Sequence, residues 1–241
     1  MVKDRLPAAE LGHFFPTPIL EYTWPDVESL NDELSKIILE KERQDKGKKM
    51  TNIGGWQSSY DFLDWEYEPV SKLKNMYEQM FHELVHRTVD NINERHLTNW
   101  KYESWACINR KGNFNVAHDH SMDGNIFSGI YYIRVDDSSK RAKGRTFFQD
   151  RSHVPIEILN DSNPFRREES RAPVSGQMII FPGSLYHYVE KYMGDGVRIV
   201  VPANALHDGF TTPRYENHDF YTRNFRGFVK LWDKIRGHHS H

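Results

Sequence analysis

A change in hydrophobic periodicity near residue 100 constrains the fold of this 241-residue chain more than any other feature. Before it, apolar residues recur at the three- and four-residue intervals of amphipathic helices. After it, short runs rich in aromatic and β-branched residues alternate with Gly, Asp, Ser and Pro, as strands separated by turns do. Five runs indicate strands: 102–108, 126–135, 146–149, 177–181 and 197–201. Successive strands with no helical pattern between them predict an antiparallel sandwich or jelly roll.

The first hundred residues predict a helical layer introduced by one short strand. The segment from His13 to Leu20 is apolar, and its two prolines exclude a helix but suit the edge of a sheet. A first helix is expected to begin at Pro25 and a second near Pro69, each with one apolar face. The expected organisation is a single domain in three parts: helical support over 1–99, a β core over 100–206, and a C-terminal extension over 207–241.

Composition is typical of a globular chain and limits its partners. Hydrophobic residues make up 38% and aromatic residues 13%, which is enough for a substantial core at this length. A formal charge of −2 gives no strong signal for nucleic acid or an anionic membrane. A lone cysteine, Cys107, excludes an intrachain disulfide and favours a reducing compartment. With no apolar run that resembles a signal peptide or membrane span, we expect a cytoplasmic protein.

Three histidines are the candidate metal ligands. His118 and His120 stand two residues apart in a predicted strand, so both side chains are expected on one face. Neighbouring imidazoles of this kind can chelate one transition metal. His187 follows a predicted strand and turn, which would return a third imidazole to the same end of the barrel. A His-x-His pair alone is weak evidence in a chain with 13 histidines, three of them in the terminal GHHSH.

Arg198 adds a second element to this pattern, eleven residues after His187. It is a fixed cation inside an apolar strand, and such a residue needs a partner if it faces inward. A guanidinium group binds a carboxylate through two parallel hydrogen bonds. Alone, Arg198 could equally point outward. Together with the histidines it predicts a metal site beside a carboxylate clamp.

With these motifs the chain resembles the Fe(II)- and 2-oxoglutarate-dependent oxygenases, and among them an oxygenase subfamily widespread in bacteria and phages. The resemblance runs from about residue 13 to residue 204. Its elements are the Phe-Pro-Thr-Pro opening, Gly54-Gly55-Trp56-Gln57-Ser58, His118-x-His120, Ser128-Gly129-Ile130-Tyr131-Tyr132, Phe181-Pro182, His187-x-Val189 and Arg198 to Asn204. The resemblance implies a mainly β fold, a double-stranded β-helix or jelly roll supported by N-terminal helices. It also implies hydroxylation of a C–H bond, with 2-oxoglutarate converted to succinate and CO2.

The resemblance also implies roles for individual residues. His118, His120 and His187 would bind Fe(II), and Arg198 would bind the distal carboxylate of 2-oxoglutarate. Tyr132 would assist Arg198. Tyr131 is the second candidate for that role, because it stands on the more apolar face of its strand. A further polar contact to the cofactor would come from Asn109.

The third metal ligand departs from the usual pattern of the superfamily, which is two histidines and one carboxylate. Two alternatives stay open. Either three neutral imidazoles bind the iron, with His120 as the third ligand, or a nearby acid replaces His120. Asp123 is the candidate acid, because a turn at Gly124 would bring it back towards the metal. Asp119 stands between the two histidines and is expected to face away.

Two other classes of protein also fit these residues. A cupin-type metalloenzyme could use the same histidines without 2-oxoglutarate, and a non-enzymatic jelly-roll protein could carry them as structural residues. Arg198 favours the oxygenase, because a cupin has no need of a carboxylate clamp at this spacing. The expected substrate is a small molecule or a peptide. The polar segment 151–173 is expected to be a loop over the mouth of the barrel, and an oligomer is compatible with the aromatic C-terminal segment.

Overall fold

A computed structural model describes residues 16–121, 124–135, 144–150 and 168–207. Two helices lie in these ranges, α1 (Glu28–Gln44) and α2 (Glu68–Thr88). The strands are β1 (Leu20–Thr23), β2 (Asn52–Ile53), β3 (Trp56–Gln57), β4 (Trp100–Ser104), β5 (Cys107–Asn109), β6 (Phe114–His118), β7 (Asn125–Arg134), β8 (Thr146–Gln149), β9 (Glu168–Arg171), β10 (Gln177–Pro182), β11 (Tyr186–Val189) and β12 (Arg198–His207). No helix in the described part is long and apolar enough to cross a membrane.

The strands form two antiparallel sheets. The larger sheet has the order β1-β10-β7-β12-β5-β3, and β4 pairs with β12 beside β5. The smaller sheet has the order β2-β6-β11-β8-β9. The short turn between β10 and β11 carries the chain from one sheet to the other, so consecutive strands lie in opposite walls. This mainly β architecture confirms the predicted double-stranded β-helix with flanking helices.

The two helices cover one face of the larger sheet. Their apolar residues share a core cluster with the odd-numbered face of β7, including Phe127, Tyr131 and Ile133. The ring of Phe81 on α2 stacks on Phe127 at a centroid distance of 6.4 Å. The other face of β7, with Ile130 and Tyr132, belongs to a second cluster. Because β7 is apolar on both faces, one face can pack on the helices while the other lines an interior cavity.

Four predicted boundaries were wrong. The first strand begins at Leu20 instead of ending there, because Pro16 and Pro18 supply no backbone N–H for pairing; residues 13–15 lie outside the described ranges. The first helix begins at Glu28, three residues after Pro25. The strand expected over 102–108 is divided into β4 and β5. Within the segment expected to be a loop, residues 168–171 form β9.

Candidate metal centre and carboxylate site

The three candidate histidines meet in one place. His118 and His187 are direct cross-strand partners in the β6–β11 pair. The distances between ring centroids are 5.0 Å for His118–His120, 4.5 Å for His118–His187 and 5.2 Å for His120–His187. One ring nitrogen from each histidine lies within 4.8 Å of the other two. This spacing allows all three imidazoles to bind the same metal ion.

His120 reaches the cluster by a route that differs from the prediction. Strand β6 ends at His118, so His120 is not on the same strand face. Instead, two hydrogen bonds hold the chain at this point. The His120 N–H donates to the Gly183 carbonyl at 2.8 Å, and Asn125 Nδ2 donates to the His120 carbonyl at 2.8 Å. The sequence analysis missed Asn125, whose position just after Gly124 gave no signal of this contact.

Backbone carbonyls fix the orientation of two of the rings. Nδ1 of His118 contacts the Val116 carbonyl at 2.7 Å, and Nδ1 of His187 contacts the Leu185 carbonyl at 2.8 Å. Because a carbonyl oxygen only accepts hydrogen bonds, Nδ1 carries the proton in both rings. Nε2 is therefore the nitrogen with a free lone pair, as a metal ligand requires.

Burial keeps the three imidazoles neutral. Burial, with a smaller contribution from neighbouring histidines, lowers the pKa of His187 to about 3 and that of His120 to about 4. Burial also lowers the pKa of His118. Protonated imidazole cannot bind a metal, so near neutral pH the histidine cluster is in the form that a metal requires.

Arg198 lies inside the protein with unused hydrogen-bond donors. It is the first residue of β12 and only 1% exposed, and the cross-strand residue beside it is Asn109. Within the described residues, its Nε and Nη2 atoms have no hydrogen-bond partner. A buried guanidinium group without a partner is unfavourable. Its position therefore fits an anionic ligand, and a carboxylate would use both free donors.

The structure shows which of the two adjacent tyrosines, Tyr131 or Tyr132, lies beside Arg198. The guanidinium carbon of Arg198 lies 5.3 Å from the ring centroid of Tyr132, and the Tyr132 hydroxyl shares a 2.9 Å hydrogen bond with Thr146 Oγ1. The Tyr131 hydroxyl instead donates to Asn31 Oδ1 on α1 at 2.8 Å. Tyr132 is thus the tyrosine beside Arg198, while Tyr131 faces the helices. The contact with Thr146 had no signal in the sequence.

Asn109 is buried next to Arg198, and its Nδ2 atom has no hydrogen-bond partner in the part of the chain that the structure describes. Its Oδ1 atom lies against the backbone of Gly55, only 2.7 Å from where a Cβ atom at that position would stand. Any side chain at residue 55 would therefore displace Asn109. This close approach gives a physical reason for the second glycine of the Gly54-Gly55-Trp56 segment.

A cavity of about 400 Å³ contains both the histidine cluster and Arg198. Its walls come from both sheets, as the alternation of β10 and β11 between sheets requires. Its lining also includes Tyr60, Glu103 and Trp105, which no motif in the sequence marks as site residues. A more open groove of about 550 Å³ lies on the smaller sheet, and it holds neither the histidines nor Arg198.

Of the two acids near the histidines, the structure describes Asp119 but not Asp123. Asp119 is among the residues that line the cavity. Its Oδ1 accepts the Ser121 N–H at 3.1 Å, and this turn directs the side chain along the loop. Asp119 is nevertheless outside the group of three close ligand atoms. Asp123 lies outside the described residues, so its role as third ligand stays a prediction.

Residues 103–204 match the family model described as "Putative 2OG-Fe(II) oxygenase". The matched part of the chain is therefore similar to the 2OG-Fe(II) oxygenases. It contains all six candidate site residues, from Asn109 to Arg198. No curated protein matches the sequence.

Solved structures share the fold of this chain. A prolyl-4-hydroxylase from Pseudomonas putida is 13% identical, with a TM-score of 0.58 over 79% of this chain and 93% of that one. A prolyl hydroxylase from Trichoplax adhaerens, solved with a hypoxia-inducible-factor peptide, is 11% identical, with a TM-score of 0.54 over 79% and 84%. HygX from Streptomyces hygroscopicus, with nickel and 2-oxoglutarate bound, is 13% identical, with a TM-score of 0.54 over 81% and 85%.

Proposed function

We propose that this protein is an Fe(II)- and 2-oxoglutarate-dependent dioxygenase that hydroxylates a C–H bond of its substrate and releases succinate and CO2. One observation carries the proposal. A single cavity holds three histidine nitrogens within 4.8 Å of one another and a buried guanidinium group with two unused donors. A metal-binding cluster beside a carboxylate-binding cation is what a 2-oxo acid cofactor requires. HygX, of the same fold, was crystallised with nickel and 2-oxoglutarate, which supports this choice of cofactors.

His118, His120 and His187 are the proposed iron ligands. The Nδ1 hydrogen bonds of His118 and His187 hold their Nε2 atoms towards the metal, and Asn125 holds the backbone of His120. When bound, iron and 2-oxoglutarate together would supply the activation of O2 that no side chain can provide. The protein's part is to hold the ligands and to orient the substrate.

Arg198, Tyr132 and Asn109 are the proposed residues that bind the distal carboxylate of 2-oxoglutarate. Arg198 would donate through Nε and Nη2, and Asn109 through its unpaired Nδ2. At a buried site these charge-assisted hydrogen bonds are little screened by water. The apolar side chains of Ile130, Phe181 and Val200 line the same cavity and exclude water from it. We assign no general acid or base.

For the substrate we propose only a general class, and for the cellular location the cytoplasm. A cavity of about 400 Å³ with an open mouth would admit a small molecule or one side chain of a peptide. The single, buried thiol of Cys107 fits a cytoplasmic protein.

Conversion of 2-oxoglutarate by the purified protein tests the proposed function. We expect Fe(II)-dependent formation of succinate that stops when EDTA removes the metal. A low rate without substrate is sufficient for this test, because a compound that stimulates it then identifies a substrate. Stoichiometric Fe(II) binding with no succinate formed from 2-oxoglutarate would contradict the proposal and favour a cupin-type metalloenzyme.

Substitution of His120 identifies the third ligand. If His120 binds iron, we expect His120→Ala to weaken Fe(II) binding at least about tenfold, and His120→Asp to restore it by supplying a carboxylate. Asp123→Asn should then have little effect. Equilibrium dialysis with Fe(II) under nitrogen measures all three variants. Loss of iron binding in Asp123→Asn, with His120→Ala unaffected, would instead assign the carboxylate.

The two adjacent tyrosines form a matched pair of variants. Tyr132→Phe removes a hydroxyl beside Arg198, so the KM for 2-oxoglutarate should rise about three- to tenfold, the scale of one hydrogen bond. Tyr131→Phe removes the hydrogen bond to Asn31 on the helical side and should leave that KM unchanged. Initial rates of succinate formation at saturating Fe(II) measure both. Equal KM values for both variants would remove Tyr132 from the carboxylate site.

A further inference from the structure

An aromatic corner lies between the histidine cluster and the mouth of the cavity. The rings of Tyr60 and Trp105 meet nearly at right angles, with an interplanar angle of 72° and centroids 5.1 Å apart. The Trp105 ring lies 5.6 Å from the ring of His120. Exposure rises from 7% at Trp105 to 39% at Tyr60, so the two rings run from the buried centre towards solvent. A substrate that reaches the histidine cluster would pass these rings.

A carboxylate stands beside this corner. Glu103 is on β4, is exposed and lines the same cavity. Burial is the main reason that the pKa of Tyr60 is raised, and the negative charge of nearby Glu103 raises it further. The Glu103 carboxylate makes no hydrogen bond or ion pair with the described part of the chain. It is therefore available to a ligand.

The charged groups that line the cavity do not balance one another. Within the described residues, the charged side chains of the lining are Arg198, Asp119 and Glu103. If the proposed function is correct, the two negative charges of 2-oxoglutarate balance the two positive charges of Fe(II). The negative charge of Asp119 then balances the positive charge of Arg198, and the three imidazoles stay neutral. The Glu103 charge then remains at the mouth. A carboxylate next to aromatic faces is an arrangement that attracts an organic cation.

We infer that the substrate carries an ammonium or guanidinium group, which binds between the Glu103 carboxylate and the Tyr60–Trp105 corner. This inference rests on the proposed function and names the substrate class for the same site. Glu103 and Tyr60 would hold the cationic end of the substrate at the mouth. The carbon to be hydroxylated would extend past Trp105 to the histidine cluster. Glu103, Tyr60 and Trp105 are thereby specificity residues and take no part in binding the metal.

A pair of probes with the same shape and different charge tests the inference. Choline carries a trimethylammonium group, and 3,3-dimethylbutan-1-ol replaces its nitrogen with carbon. Ligand-observed NMR titration of the full chain, alone and again with Zn(II) and 2-oxoglutarate, gives both affinities. We expect choline to bind at least about fivefold more tightly than the neutral alcohol, the scale of a cation–π contact at an exposed site beside a carboxylate.

Variants of the proposed site show which residues cause the preference for choline over the neutral alcohol. Glu103→Gln and Tyr60→Ala should bring the ratio of the two affinities close to one, whereas the exposed Glu66→Gln, outside the cavity lining, should leave it unchanged. Equal affinities, no choline binding, or a preference that survives Glu103→Gln would overturn the inference. Failure of the inference and failure of the proposed function give different results. A protein that converts 2-oxoglutarate but shows no charge preference refutes only the inference, and a charge preference without 2-oxoglutarate conversion refutes only the proposed function.

Discussion

His187→Ala is expected to weaken Fe(II) binding at least about 100-fold and to abolish conversion of 2-oxoglutarate, because it removes a proposed ligand whose ring lies beside that of its cross-strand partner His118. His187 is 4% exposed, and its Nδ1 hydrogen bond to Leu185 fixes the ring before any metal binds. Within the described residues, the group of possible metal ligands consists of His118, His120 and His187, so no fourth member is present to replace His187. Equilibrium dialysis with Fe(II) and a succinate assay measure the two effects.

His207→Ala is the matched control for this variant. His207 is also 4% exposed and lies at the end of β12, where its ring packs on Trp100 and its Nε2 contacts the carbonyls of Arg95 and Thr98. Removing it should lower the free energy of unfolding without reducing Fe(II) affinity. If His187→Ala behaves like His207→Ala, retaining both iron binding and turnover, then His187 is a structural residue.

Arg198→Met is expected to raise the KM for 2-oxoglutarate at least about tenfold, the scale of losing a charged hydrogen-bond partner. Fe(II) affinity should stay the same, because Arg198 is not part of the histidine cluster. Titration of succinate formation against 2-oxoglutarate gives the KM, and equilibrium dialysis gives the iron affinity. Arg198→Lys should recover part of the loss, since it restores the charge but not the paired donors.

The stability of Arg198→Met distinguishes a binding role from a structural one. In the protein without cofactor, the guanidinium group is buried with two unused donors, so replacing it with an apolar side chain should leave the free energy of unfolding unchanged or raise it. Urea unfolding at neutral pH measures this. A large loss of stability together with an unchanged KM would show that Arg198 serves the core and not the cofactor.

The sequence could predict the parts of the site that depend on order and strand register. His118 and His187 were placed together because a strand, turn and strand return the chain to the same edge, and the structure makes them direct partners. His120 also lies in the cluster, but strand alternation does not bring it there. Strand β6 ends before it, and hydrogen bonds of the loop bring its ring back. Local alternation cannot predict contacts that a loop makes with a distant turn.

Other features depend on packing that no pattern in the sequence records. Strand β7 is apolar on both faces, so alternation could not decide whether Tyr131 or Tyr132 faces the cavity. The run 102–108 predicts one strand, whereas the structure has β4 and β5 there, and Glu103 and Trp105 line the cavity without any signal in the sequence. These residues acquire a role only when two sheets and a helical layer are assembled.

Anaerobic titration of the Fe(II)-loaded protein with 2-oxoglutarate tests the central claim most directly, because chelation of iron by a 2-oxo acid gives a visible charge-transfer band. The account predicts a saturable band in the natural protein that is lost in His187→Ala and requires at least about tenfold more 2-oxoglutarate in Arg198→Met. Fe(II) binding without the band would contradict the use of 2-oxoglutarate. A protein that binds no Fe(II) would contradict the metal site itself.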